Sequence, residues 1–362
     1  MAGGTRRLPV ETLCLALLLA CHPVVGASSD TVAAAAPVGA QGSPTDSADG
    51  ELTSPNDRPS DQPQDQPVAV ADTQSSQPAS KPEPAPLTAP DGTVIAPCAD
   101  VPDGMACVPG GAFIRGRDDG PDNERPAEEI WLRSFYMDLH EVRSADFKAC
   151  VKSKACLRGR PLYNDFSRPD QPIVGPSWYA AQRYCEVQGK HLPTEAQWEK
   201  AARGPDGALH PWGDEPATCE RAVIKDKRGR SCGVDKRFEH PKKGRTFVVG
   251  TRAAGVYGLF DMSGNAWEWV ADWASDDYAE CGEACRGTDP LGPCDGAEPC
   301  RGHKEKVVRG GSWYWVARYA TGTHRRLHVP GNDPLHHFGF RCAASLDQAA
   351  KIVAAAPVDD GA

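Results

Sequence analysis

Three stretches of the chain have apolar residues at the spacing of an α-helix and polar residues where a helix would begin. They are EVRSADFKACVKSK (141–154), SWYAAQRYCEVQG (177–189) and TEAQWEKAARG (194–204). Ser144 and Ser177 are the expected N-caps of the first two, because a hydroxyl oxygen can accept a hydrogen bond from the first turn. Thr194, with Gln197 three residues later, predicts a capping box for the third. A glycine ends each of the last two stretches.

Strand signals are short and irregularly placed. Runs of β-branched and aromatic residues occur at 111–116, 130–137, 246–250, 306–311 and 338–343. The chain of 362 residues also contains 36 glycines and 33 prolines, which favour loops. We therefore predict one α+β domain over residues 97–346, loop-rich, with short twisted sheets and a few helices.

The N-terminus has the pattern of an export signal. MAGGTRR is cationic, and the apolar run LCLALLLA (13–20) is too short to span a bilayer comfortably. Small and apolar residues directly before Cys21 favour a lipoprotein signal peptide over residues 1–20, with lipid attached to Cys21. Cleavage of an ordinary signal peptide after Ala27 is the alternative. Either way we expect an exported protein of a bacterial cell envelope, periplasmic or on the surface, and the lipid would attach it to a membrane.

Residues 21–96 differ in composition from the domain. They are rich in Ala, Pro, Ser, Asp and Gln, as in DRPSDQPQDQP (57–67). Such a segment cannot bury enough apolar surface to offset its ordering entropy. We predict a disordered tether here, and a flexible tail over 347–362.

Charge and cysteine content narrow the class further. The formal net charge is −9 and there is no basic stripe, so a nucleic-acid partner is not expected. Of the 14 cysteines, those outside the leader are even in number, which favours disulfides in an exported chain. Cys219 and Cys232 are one candidate pair. The four cysteines within 281–300 could hold zinc, but disulfides are the favoured interpretation.

Several blocks, in order, are similar to the formylglycine-generating enzyme family, also called sulfatase-modifying factors. They are HLPTEAQWEKAARG (191–204), HPWGDE (210–215), YGLFDMSGNAWEWVADW (257–273), VVRGGSW (307–313) and GFRC (339–342). The resemblance covers residues 105–345 and implies a loop-rich variant of the C-type lectin fold. It also implies a disulfide between Cys185 and Cys342. A second family disulfide would need cysteines at Ala202 and Arg325, and both are absent.

A structural calcium site is implied by the same resemblance. Its ligands would be the side chains of Asp261 and Glu268 and the carbonyl groups of Gly264 and Ala266, and hard oxygen ligands of this kind suit calcium. From residue types alone, the favoured alternative is that the two carboxylates cap a turn and pair with arginine. The family's other calcium site is not expected here, because 219–233 lacks its asparagine.

RGGSWYWVARYATGTHRR (309–326) covers the positions at which active family members carry two copper-binding cysteines. Here they are Trp315 and Ala320, neither of which offers the thiolate that Cu(I) requires, so copper is not expected. A mononuclear iron or copper site could use histidines of this region, namely His324, His328, His336 and His337. Surface or core-edge histidines are the favoured interpretation.

The same stretch could form a recognition surface. Candidate ligand-binding residues are Ser312, Tyr314, Trp315, Arg318 and Arg325, with Trp313 expected in the core. The sequence thus favours a calcium-stabilised extracytoplasmic binding module for a carbohydrate, peptide or anionic ligand. The alternative is a non-haem metal-dependent oxidoreductase with an unknown substrate.

Overall fold

The computed structural model describes residues 86–159, 161, 163–234, 244–331 and 336–356. The predicted signal peptide, the lipidated Cys21 and most of the predicted tether lie outside these residues. Among the helices in the described ranges, none is both long and apolar enough to cross a membrane.

The helices are α1 Ser144–Lys152, α2 Trp178–Val187, α3 Glu195–Arg203, α4 Tyr278–Cys281 and α5 Leu346–Ala355. As predicted, the Ser177 side chain accepts from the amide of Ala180 at the start of α2. Thr194 and Gln197 form the expected capping box of α3. The predicted cap of α1 is wrong, because Ser144 is its first helical residue and Arg143 stands at the N-cap without a side-chain bond.

Helix α5 replaces most of the tail that was expected to be flexible. Its N-terminus has a capping box formed by Ser345 and Gln348, and Ala349 is buried beside Tyr136 and Met105. The local signal was present in the sequence, since a serine followed three residues later by glutamine is a helix start.

The strands are β1 Leu87–Thr88, β2 Val94–Ile95, β3 Met105–Val108, β4 Gly111–Arg115, β5 Glu128–Leu132, β6 Phe135–Asp138, β7 Trp267–Trp273, β8 Lys306–Arg309, β9 Arg326–His328, β10 Phe338–Gly339 and β11 Ala343–Ser345. They form sheets of order β1-β2, β10-β7-β8-β9, β11-β6-β3 and β4-β5. The predicted strand 130–137 is two strands in different sheets, and 246–250 is not a strand. The tether prediction is wrong at its end, where β1 and β2 pair.

Strand β7 organises the core because it is buried on both faces. Trp267 and Trp269 pack with α2, while Val270 packs with α3 and β4 to β6. Its two carboxylates, Glu268 and Asp272, are buried too, so the strand has no exposed polar face of the kind that regular alternation would reveal in the sequence. The mixture of short sheets and few helices agrees with the predicted α+β class.

Six disulfides link the twelve cysteines of the domain. Cys185–Cys342 joins α2 to the chain just before β11, and Cys219–Cys232 closes a loop of 13 residues. The four cysteines of 281–300 pair as Cys281–Cys285 and Cys294–Cys300, which favours the disulfide interpretation over zinc. The other two pairs are Cys98–Cys107 and Cys150–Cys156.

Candidate functional site

A pair of glycines directs the chain from the end of β8 into the loop that carries the predicted recognition residues. Gly310 and Gly311 have φ angles of 93° and 78°, a region that residues with a Cβ enter at a cost. A Cβ on Gly311 would lie 2.6 Å from the carbonyl oxygen of Tyr319. The loop can therefore fold back on itself only because residue 311 has no side chain.

Three aromatic rings of this loop, Tyr314, Trp315 and Tyr319, form what we call the aromatic row. Their centroids are 5.3 Å apart between Tyr314 and Trp315 and 5.2 Å apart between Trp315 and Tyr319. All three side chains are half-buried. Trp313 is fully buried against Phe166, as predicted. The row is thus supported by the core and presents its outer edges to solvent.

Each ring of the aromatic row has a guanidinium group over it. The distances from guanidinium carbon to ring centroid are 3.6 Å for Arg230 over Tyr314, 5.2 Å for Arg326 over Trp315 and 4.7 Å for Arg318 over Tyr319. Arg230 and Arg318 also donate hydrogen bonds to the tyrosine hydroxyls beneath them, at 2.5 and 2.7 Å. Within the part of the chain that the structure describes, none of the three arginines pairs with a carboxylate. Three positive charges therefore have no acidic partner among the described residues.

Two residues predicted to bind ligand, Ser312 and Arg325, are buried in the core and do not belong to the aromatic row, so the prediction is wrong for both. Ser312 is fully buried, and Arg325 is 2% exposed. The Arg325 guanidinium donates to both carboxylate oxygens of Glu195, at 2.7 and 3.1 Å. Neighbours in an extended chain point to opposite sides, so Arg326 faces the row when Arg325 faces the core. Sequence reasoning missed Arg326 and Arg230, although two consecutive arginines before a strand signal one inward and one outward side chain.

The two positions assigned to copper-binding thiols both lie in this loop. Trp315 belongs to the aromatic row, and Ala320 is buried. Of the candidate histidines, His324 contacts Glu124 through Nδ1 at 3.1 Å, and His337 lies against Tyr314. In the described ranges, His, Cys, Asp and Glu side chains form no group of three suited to a metal ion.

The residues of the predicted calcium site lie in the turn that precedes β7 and at the start of β7. All of them are buried. Asp261 and Gly264 have positive φ angles, 55° and 88°. Both oxygens of Glu268 are already bound, because Arg341 donates to them at 2.7 and 2.8 Å and Trp198 donates to one at 2.8 Å. The pairing with arginine that the sequence left open is therefore present at Glu268.

Asp261 differs from Glu268 in having an unsatisfied oxygen. Its Oδ2 accepts from the Gly250 amide at 2.7 Å, but its Oδ1 is buried without a partner. Burial raises the pKa of Asp261 to about 6. Burial, followed by the charges of Asp261 and Glu268, also raises the pKa of Glu141. The guanidinium groups of Arg341 and Arg252 only partly offset the effect of burial at Asp261, so its unsatisfied carboxylate oxygen fits a hard cation.

The fold of this chain is shared with proteins of known structure. The solved structure of PvdO from Pseudomonas aeruginosa aligns with a TM-score of 0.54 and 23% identity, over 67% of this chain and 94% of that chain. That likeness concerns the fold. Residues 93–346 match the family model described as a sulfatase-modifying factor enzyme 1-like domain, and the chain belongs to this family.

Two curated relatives place the match in context. The formylglycine-generating enzyme of Thermomonospora curvata is 30% identical over 297 residues, which cover 68% of this chain and 94% of that protein. The serine/threonine-protein kinase pkn1 of Chlamydia caviae is 31% identical over 264 residues. That match covers 67% of this chain but only 38% of the kinase, so the chain spans about two fifths of the length of this relative.

Proposed function

We propose that this chain is an exported recognition module of the sulfatase-modifying factor family, which binds an anionic ligand at the aromatic row and does not generate formylglycine. The observation that carries the proposal is a set of three guanidinium groups, those of Arg230, Arg318 and Arg326, that lie on aromatic rings and pair with no carboxylate in the described part of the chain. The ligand would be an acidic carbohydrate or an acidic peptide.

The physical basis is the combination of flat aromatic surface and unneutralised charge. A guanidinium that already lies on a ring has lost part of its rotational freedom, so less entropy is lost when it binds an anion. Charge-assisted hydrogen bonds to an oxyanion are roughly twice as strong as neutral ones. Beside the row lies a groove of about 750 Å³ whose lining includes Val316, Ala317, Lys225 and Lys227, together with the acidic residues Glu220 and Asp226. A ligand longer than one residue or sugar could continue into it.

The proposal that this chain does not generate formylglycine rests on the chemistry of two side chains. Active members oxidise a cysteine of their substrate with the help of two thiolates, and the corresponding residues here are Trp315 and Ala320. An indole and a methyl group offer copper no thiolate ligand. The export signal and the Pro- and Ala-rich segment after it support presentation of the domain outside the cytoplasm.

Calcium is proposed as a structural partner rather than a catalytic one. Asp261 and Glu268 would hold it through their side chains, and Gly264 and Ala266 through their carbonyl oxygens. The support is the unpartnered Oδ1 of Asp261 and the burial that raises the pKa of its carboxyl. A bound calcium ion would supply charge neutralisation at the turn that leads into β7.

The test is an array of acidic and neutral glycans and peptides, screened with the purified mature chain. We expect binders among the acidic members, with affinity that falls as salt rises. Arg318→Ala should weaken these binders about tenfold. Arg183→Ala is the matched control, because Arg183 lies on α2 and already pairs with Glu186. Equal binding of neutral and acidic ligands, or equal effects of both variants, would contradict the proposal.

A further inference from the structure

Arg326 differs from the other two arginines of the aromatic row in its surroundings. Its guanidinium carbon lies near three ring centroids, at 5.2 Å from Trp315, 5.7 Å from Phe338 and 5.9 Å from Trp267. The side chain is half-buried, and its Nε is buried with no acceptor. Burial lowers the pKa of this guanidinium, although Tyr319 opposes the effect. The positive charge is therefore poorly solvated, and a bound anion would offset this desolvation cost.

Unsatisfied hydrogen-bond donors are concentrated around this arginine. Ten buried side-chain nitrogen and oxygen atoms of the described residues have no partner. Four of them belong to this cluster, namely Arg326 Nε, Trp315 Nε1, Trp267 Nε1 and His337 Nδ1. His337 lies beside Phe338, with ring centroids 4.8 Å apart. A buried donor without an acceptor is costly, so four in one place require a common explanation.

The chemistry of the four groups defines what would satisfy them. Arginine and indole nitrogens only donate hydrogen bonds. Burial, followed by His336 and Arg326, lowers the pKa of His337 to about 3, so its imidazole is neutral, with one N–H and one acceptor nitrogen. Nδ1 is a donor in the tautomer that carries the proton there, and a bound anion would select that tautomer. The cluster contains no carboxylate. It is complementary to a species that only accepts hydrogen bonds and carries negative charge.

The arrangement of donors also favours some oxyanions over others. The donors come from the guanidinium and three side chains near it, and a tetrahedral group offers acceptors in more directions than a planar carboxylate does. A phosphate monoester carries a proton over part of the neutral range, whereas a sulfate ester has none to donate. A donor-only pocket therefore favours sulfate over phosphate on desolvation grounds.

We infer that Arg326, Trp315, Trp267 and His337 form a pocket for a sulfate ester group, which anchors the ligand of the aromatic row. This inference rests on the proposed recognition function, and it names the chemical group that is recognised. Within the described residues the Arg326 side chain has no hydrogen bond or ion pair to lose, so a shift of its guanidinium among the neighbouring rings would admit the sulfate group. Trp315 and Arg326 form its exposed edge, and the fully buried Trp267 forms its base.

Inorganic sulfate tests the pocket directly, without knowledge of the ligand. Sodium sulfate, phosphate and acetate are titrated into the mature chain at constant ionic strength, with tryptophan fluorescence and melting temperature as readouts. We expect saturable binding of sulfate, with phosphate at least tenfold weaker and acetate weaker still. Sulfate should also displace acidic ligands found by the array. Acetate binding as tight as sulfate binding, or no saturable response to sulfate, would overturn the inference.

Variants separate the pocket from nonspecific charge effects. Arg326→Gln should weaken sulfate at least tenfold, and Trp315→Phe, which keeps a ring but removes the N–H, about fivefold. Arg183→Ala removes the same charge outside the pocket and should have no effect on the sulfate titration. If Arg326→Gln does not fold, Arg326→Lys and Trp315→Phe decide the question. Sulfate binding that is unchanged in these variants contradicts the assignment.

The outcomes also distinguish this inference from the proposed function. If acidic array ligands bind and depend on Arg318, but sulfate neither binds nor competes, the pocket is wrong and the recognition function stands. If sulfate binds in an Arg326-dependent way but the array yields no acidic ligand, the pocket stands and the recognition function fails.

Discussion

The guanidinium of Arg325 forms a two-pronged hydrogen-bonded ion pair with the carboxylate of Glu195 in the interior of the domain, at 2.7 and 3.1 Å. Arg309 adds a second cation at 3.2 Å from Glu195 and contacts Glu199 at 2.5 Å. The resemblance places one cysteine of a family disulfide at residue 325. In this chain the same position belongs to a buried ionic network.

Arg325→Ala should therefore act on stability. Removing one partner of a buried ion pair leaves the other charge uncompensated, at a cost of about 3–5 kcal/mol; here Arg309 offsets part of it, so we expect about 3 kcal/mol. Urea denaturation measures the change. Arg318→Ala, at an exposed position, should change the free energy of unfolding by less than about 0.5 kcal/mol. Similar losses in the two variants would show that the buried pair contributes little.

Calcium should raise the melting temperature of the wild-type chain, because a ligand bound only by the folded state stabilises it by mass action. Asp261→Ala should remove the response to calcium, and in chelator its melting temperature should be no lower than that of the wild type, because the variant removes a buried carboxylate whose raised pKa makes its charge a cost in the absence of the ion. Differential scanning fluorimetry with calcium, magnesium and chelator gives both quantities. An unchanged wild-type melting temperature in chelator and calcium would count against the site.

The purified chain should leave a cysteine-containing sulfatase peptide unoxidised, with or without added copper. The reason is the pair Trp315 and Ala320 at the thiol positions. Mass spectrometry of the peptide detects the aldehyde product, and an active formylglycine-generating enzyme run in parallel shows that the peptide and the copper are competent. Copper-dependent aldehyde in the presence of this chain would refute the expectation.

Glu124 predicts a defined acid dependence of stability. Burial raises the pKa of this carboxyl, but hydrogen bonds from His324, Thr323 and Arg117 outweigh it and lower the pKa to about 2. The folded pKa lies below the usual 4.5, so the stabilisation is present above pH 4.5 and is lost as pH falls towards 2. Glu124→Gln should cost about 2–3 kcal/mol at pH 7.

The measurement is urea denaturation of both proteins at several pH values between 2 and 7. The gap between wild type and Glu124→Gln should narrow as pH falls below 4.5. Glu215→Gln is a suitable control, because Glu215 is exposed in its pair with Arg221. A gap that stays constant down to pH 2 would mean that the charge of Glu124 contributes nothing to stability.

Local signals in the sequence determined the ends of several elements. The side chains of Ser177 and Thr194 accept hydrogen bonds at helix N-termini, and Gly204, which has no side chain, ends α3 with a positive φ angle. These are interactions within one turn of chain, so no distant contact can easily override them. The family resemblance predicted the fold and the Cys185–Cys342 disulfide, because motifs in the same order indicate the fold that family members share.

Tertiary structure decided what long-range contacts control. Strand β7 is buried on both faces, and its polar residues Glu268 and Asp272 are buried as well, so its sequence has no solvent-facing positions that would mark it as a strand. The aromatic row required the loop after β8 to fold back on Gly311, which brings Arg230, more than 80 residues earlier in the chain, onto Tyr314. Arg325 and Arg326 are chemically identical and adjacent, yet Arg325 is neutralised by Glu195, whereas Arg326 has no acidic partner within the described ranges. Sequence identifies such side chains, but only packing of distant segments determines which of them keeps an unpaired charge.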